Sequence, residues 1–168
     1  KTWTIEAGRR GPGVGTLTFD QPGAGGDITS NTGTLAAQGD IVVADGNSYT
    51  GGATLLINGT GAQAFSGAAT STSGNLPHIN ISKPSGTLTL SGTLRIGKNW
   101  TYTEGTVDAG TSTVVFGNSG PGRTITGSHS LNHVTFNSNY GSSKTWTIDA
   151  GTTLTVVGTL TFDQTGAG

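Results

Sequence analysis

KTWTIDAGTTLTVVGTLTFDQTGAG, residues 144–168, is a second copy of KTWTIEAGRRGPGVGTLTFDQPGAG, residues 1–25. The two align without a gap at an offset of 143 and agree at 18 of 25 positions. The sequence therefore divides into one repeat unit, 1–143, and the start of the next, 144–168, which is expected to continue the same structure. Units that follow one another head to tail build an extended array, because each buries its ends against its neighbours.

Inside both copies Thr alternates with apolar residues: TWTI at 2–5 and 145–148, TLTF at 16–19 and 159–162, TLTV at 153–156. The same alternation gives TLTL at 87–90. A period of two marks a strand with one buried side, so Leu, Ile, Val, Phe and Trp face a core and Thr faces solvent. Further strands are expected at 41–44, 54–57, 78–81, 94–96, 100–103, 113–116, 123–126 and 133–136. Gly-rich corners such as 20–23 and 118–122 separate them. Strands follow one another too closely to leave room for crossover helices.

Gly-Thr-Leu recurs at Gly15, Gly33, Gly86, Gly92 and Gly158. At an offset of 59, DIVVADG (40–46) parallels NWTYTEG (99–105), and TLLI (54–57) parallels TVVF (113–116). LPHINISK (76–83) similarly resembles LNHVTFNS (131–138). These matches read as two degenerate halves of one unit. The fold class expected is all-β, a right-handed parallel β-helix (β-solenoid) of three short strands per coil with Thr ladders outside. An antiparallel immunoglobulin-type sandwich is the alternative, disfavoured because hairpin signals are few, chiefly Asp45-Gly46 and Asn58-Gly59. At about 20 residues per coil, one unit makes about seven coils.

Composition agrees. Gly numbers 30 and Thr 31 of 168 residues, pairing turn formers with strand formers. Charged residues are 10% against about 25% in an average domain, and the formal net charge is −1. A nucleic-acid partner needs a basic stripe, and Arg9-Arg10 is the only adjacent basic pair. No run of 18 apolar residues is present to span a membrane. Cys and Met are both absent, which removes disulfides, thiolate metal sites and oxidisable sulfur and suits a durable material outside the cell. Lys1 in place of an initiator Met reads as the start of a processed or excised piece.

GTLTLSGTL (86–94), WTYTEGTVDAGTSTVVFG (100–117), RTITGSHSLNHVTFNS (123–138) and GTTLTVVGTLTF (151–162) resemble the Gly/Thr-rich repeats of large secreted bacterial surface proteins and filamentous adhesins. The resemblance implies a parallel β-helix, export, a structural or adhesive role, and no catalytic residues or cofactor. It covers most of 78–168 and fades across 20–75. RRGPG (9–13) departs from it where the second copy has the plain strand TTLTV.

Candidate chemistry is sparse. Asp20 and Asp163 are repeat-equivalent, and Asp40 and Asp45 bracket a strand, but Asp in a turn is ordinarily a cap. Glycoside hydrolysis needs two facing carboxylates, and none stand out. His129 and His133 lie four apart, a ligand spacing on a helix but not on a strand, so no metal is expected. Gly23–Asp27 faintly resembles calcium-binding Gly/Asp repeats but lacks their period. Trp3, Trp100 and Trp146 read as core or corner fillers, with sugar binding the alternative.

The function expected is a structural subunit of an extracellular filament, cell-surface fibre or adhesin stalk, assembling end to end. Its partner is itself, as head-to-tail copies or a homopolymer, with surface glycans as a second partner class and no enzyme activity. The expected assembly edges are Trp3, Ile5, Leu17, Phe19, Trp146, Ile148, Leu160 and Phe162. An ice- or surface-binding Thr-ladder solenoid and a polysaccharide-binding or polysaccharide-cleaving β-helix are the alternatives.

Overall fold

A computed structural model describes residues 15–19, 28–30, 32–44, 49–70, 74–117, 122–138 and 145–163. These residues form strands and no helix. Every strand pair is parallel, so the chain is a β-solenoid and the sandwich alternative is excluded. TWTI at 2–5 and RRGPG lie outside the described residues.

The coil has three faces, visited in a fixed order. The first face stacks Thr34–Ala37, Thr54–Ile57, residues 78–81, residues 100–102, Arg123–Thr126 and Trp146–Ile148. The second stacks Leu17–Phe19, Ile41–Val43, Gln63–Ala68 and residues 87–92, with 106–108 on the last of these. It resumes higher up with His129–Leu131 under Leu154–Val156. The third begins with Ile28–Ser30 beside Tyr49–Gly51 and continues through Asn75–Leu76, residues 93–96, Thr113–Gly117, His133–Asn137 and Leu160–Asp163.

Alternation turns every second side chain inward, and the parallel register stacks those side chains into columns. One column on the first face runs Leu35, Leu55, Ile79, Trp100, Ile125, Ile148. One on the second runs Leu17, Ile41, Phe65, Leu90. One on the third runs Leu76, Ile96, Phe116, Phe136, Phe162. Leu55, Phe65, Leu90, Ile96, Trp100, Phe116 and Ile125 are fully buried. Each Phe or Leu buried in this way contributes about 1.5–3 kcal/mol.

Most circuits are longer than expected, and they are unequal. The short one runs from Leu88 to its register partner Val107, and longer ones run from Gln63 to Leu88 and from Phe136 to Phe162. The unit therefore holds fewer than the seven coils expected. The excess sits at the corners, where Gly permits turns that side chains forbid. At Gly92, with φ +66°, a Cβ would collide with the carbonyl oxygen of Gly67 one level below.

The repeating phrase is not tied to one face. Gly-Thr-Leu opens a strand on the first face at Gly33, on the second at Gly15 and Gly86, and on the third at Gly92 and Gly158. Both offset-59 matches move back one face: 41–43 on the second parallels 100–102 on the first, and 54–57 on the first parallels 113–116 on the third. The match of 78–81 to 133–136 moves in the same sense. The module of this sequence is thus the single strand with its corner, not the coil.

One corner buries a cation. Lys83 has almost no exposed surface, and its ammonium donates to Gly59 O at 2.7 Å, Gly61 O at 2.8 Å and Gln63 Oε1 at 2.7 Å. Buried Gln63 also accepts from Gly59 N at 3.0 Å and donates through Nε2 to Gly39 O at 2.5 Å. All three ammonium protons are satisfied by neutral oxygens, and burial lowers the Lys83 pKa. Replacing Lys83 by Met strands these acceptors, so Lys83→Met is expected to destabilise the fold by about 1–3 kcal/mol. The midpoint of chemical denaturation measures this; an unchanged midpoint would show that the cage contributes nothing.

Candidate functional site

Three of the described acids serve the backbone, and Glu104 Oε1 accepts from Ser82 Oγ at 3.2 Å. Asp40 Oδ1 accepts from Ala64 N at 2.8 Å, Asp108 Oδ1 from Gly110 N at 3.0 Å, and Asp149 Oδ1 from Ala150 N at 3.0 Å. Asp163 differs, its Oδ2 accepting from the side chain of Asn137 through Nδ2 at 3.1 Å. Among the described residues no three His, Cys, Asp or Glu side chains gather as metal ligands. Asp20, Asp45 and the Gly23–Asp27 stretch lie outside the described residues.

His129 and His133 stand on different faces, with different tasks. His133 Nδ1 accepts from Thr159 N at 3.0 Å. His129 lies half-buried against two aromatic rings, Trp100 at 5.9 Å and Tyr102 at 5.1 Å between centroids, both stacked. Trp100 Nε1 donates to His129 Nε2 at 2.8 Å, and His129 Nδ1 lies 2.8 Å from Gly127 O. Indole N–H is a donor only, so Nε2 must be unprotonated and Nδ1 must carry the proton. The ring is therefore held neutral in one tautomer. It fills the place where the second face loses its ladder, between residues 106–108 and His129–Leu131. Trp100 is a fully buried core residue, as expected.

The distinctive surface is the last circuit, formed by Trp146–Ile148, Leu154–Val156 and Leu160–Asp163. On one side each strand is paired with the circuit below. On the other side none of them meets a described strand. The large exposed hydrophobics among the described residues all belong to this circuit: Ile148 at 46%, Val157 at 71%, Leu160 at 47% and Phe162 at 68%. Phe162 ends a ladder of rings, stacked on Phe136 at 5.5 Å, which stacks on Phe116 at 5.3 Å. Trp146 packs on Phe116 at 5.0 Å, and its buried indole N–H has no acceptor among the described residues.

Of the expected edge residues, Ile148, Leu160 and Phe162 are thus exposed together at one end, with Trp146 half-buried beside them. Leu17 and Phe19, in the lowest described strand of the second face, are each 9% exposed. Trp3 and Ile5 lie outside the described residues. Val157 is not among the expected edge residues; the doublet Val156-Val157, which breaks the Thr–apolar alternation, is its signal.

No family model, curated protein or solved structure matches this chain.

Three outcomes are expected. Burial depresses the His129 pKa, against the opposing bond to Gly127 O, and burial with the charges of Lys98 and Arg123 depresses that of His78. As pH falls below the ordinary 6.5, the unfolded chain takes up protons that the folded chain refuses. The stability these two histidines contribute is therefore full above pH 6.5 and is lost as pH falls below it. Denaturation midpoints across this range should decline less for His129→Gln than for the parent; equal slopes would refute the neutral-ring assignment. Phe162→Lys, at an exposed position, should shift stability by no more than about 0.5 kcal/mol. Phe65→Ala, in the sealed core, should cost about 3–5 kcal/mol.

Proposed function

We propose that the chain is a structural segment of an extracellular shaft, a filament or adhesin stalk, in which solenoid units follow one another without a break. The observation that carries this reading is the last circuit: apolar, without a described strand along one edge, and built from a sequence that recurs at 1–25 with 18 of 25 positions the same. Bare parallel edges and exposed Phe are costly unless something covers them. A further copy of the same unit supplies matching strands. Low charge, abundant Gly and Thr, and the absence of Cys and Met suit a long-lived material outside the cell.

The ice-binding alternative requires long outward Thr columns. On the first face the outward column reads Ala36, Leu56, Asn80, Thr101, Thr126, so only two Thr adjoin. Elsewhere Thr pairs likewise stop at two, as at Thr93–Thr113 and Thr135–Thr161. The spacing favours the shaft.

Chains carrying one, two and three units should test it. In solution scattering each added unit should lengthen the particle by about 30 Å at constant width. Thermal midpoints should rise with unit number, as nearest-neighbour stacking demands. Particles that widen, or beads joined by flexible chain, would defeat the reading. Thermal hysteresis in the same samples would favour ice binding instead.

A further inference from the structure

GTLTF occurs at 15–19 and again at 158–162, so the molecule displays one strand twice, once covered and once bare. In the covered instance Leu17–Phe19 pairs with Ile41–Val43 in the register Leu17–Ile41, Thr18–Val42, Phe19–Val43. Leu17 N donates to Asp40 O at 2.8 Å, and Ala44 N donates to Phe19 O at 2.9 Å. In the bare instance Leu160–Asp163 meets, among the described strands, only His133–Asn137 beneath it, whereas Leu17–Phe19 meets only Ile41–Val43 above it. Beneath the Ile41–Val43 strand Phe19 is 9% exposed, and Phe162, with no described strand above it, is 68% exposed.

We propose that the bare strand is covered by the DIVVA segment, 40–44, of a second copy of the unit following in the chain. Leu160, Thr161 and Phe162 then meet that copy's Ile41, Val42 and Val43. This proposal rests on the shaft reading above and adds the partner segment, the register and an orientation. The positions that follow the strand support it, because Asp20-Gln21 and Gly23-Ala24-Gly25 recur as Asp163-Gln164 and Gly166-Ala167-Gly168. Both strands are thus followed by nearly the same sequence.

The orientation follows from the faces. Leu17–Phe19 lies on the second face and Leu160–Asp163 on the third. The following copy's 41–43 segment, which sits on the second face here, therefore falls on the third. Each unit is turned by one face, a third of a turn, relative to the unit before it. Three units bring the faces back into register. The internal matches show that this sequence already tolerates such shifts, since each of them also lands on a neighbouring face.

The native chain has no Cys, so paired cysteines report the stacking cleanly. The chain is extended by a second copy of residues 26–168. Thr161→Cys is combined with Val42→Cys of the added copy, or in a second variant with Thr50→Cys of the added copy. Ile28–Ser30 of the added copy follows Leu160 by less than the shortest circuit and cannot overlie it, so if faces stay aligned the next third-face strand, Tyr49–Gly51, covers Thr161 instead. The reference is Thr18→Cys with Val42→Cys in the original chain. Adjacent parallel strands place Cα atoms within disulfide range.

Expected under mild oxidation is that the Thr161–Val42 pair closes as fully as the reference pair and the Thr161–Thr50 pair stays open. Closure of the Thr161–Thr50 pair alone overturns the rotation and leaves the shaft reading standing. If the reference closes and neither test pair does, the units are separate bodies and both readings fall. An open reference pair removes the template itself, and the proposal with it.

Discussion

A strand in a parallel solenoid needs a neighbour on both edges. Its own backbone supplies none of its ladder bonds, and its inward side chain is sealed only by the residues above and below. Everything else in this molecule follows from that requirement. The columns of Leu, Ile and Phe are continuous because a gap in one level exposes the next. The corners carry Gly because the chain must climb one level per circuit with its backbone pressed against the corner beneath. The last circuit meets a described strand on one side only, and the exposed Ile, Val, Leu and Phe of the described residues collect there.

The same requirement explains the polar groups found inside. Gln63 and Lys83 occupy a corner where carbonyls of successive levels point inward with no strand to receive them. A long cation and a long amide reach those oxygens where apolar side chains would leave them unpaired. His129 acts similarly at the break in the second face, where its ring packs on Trp100 and Tyr102 and its two nitrogens meet one donor and one acceptor.

Most of the fold is legible in the sequence. All the strands expected in the described residues form, because Thr–apolar alternation is a local signal that each strand carries by itself. Thr34–Ala37, Gln63–Ala68 and His129–Leu131 are strands that the pattern does not predict. Their Ala, Gln, Ser and His residues break the alternation, and neighbouring levels hold them in place. The buried positions of Lys83 and Arg95 are equally illegible, since composition marks both as surface residues and only the stacked geometry encloses them. Repeats reveal the module but not its phase: identical phrases suggest equivalent places in the coil, whereas corners of unequal length carry them to different faces. Of the candidate site, Ile148, Leu160 and Phe162 can be read from the repeat, while Val157 is marked only by the doublet that interrupts the alternation.

The unequal corners have a further meaning. The circuit from Phe136 to Phe162 takes up more chain than the one from Leu88 to Val107, yet both stay in register with the level beneath. Girth and content are thereby decoupled: the prism keeps one cross-section while its outline gains or loses loops. An insertion at a corner shifts nothing downstream, because each level is positioned by the one beneath it and not by its distance along the polypeptide. Such a scaffold can diversify its exterior almost freely while its axial spacing stays constant.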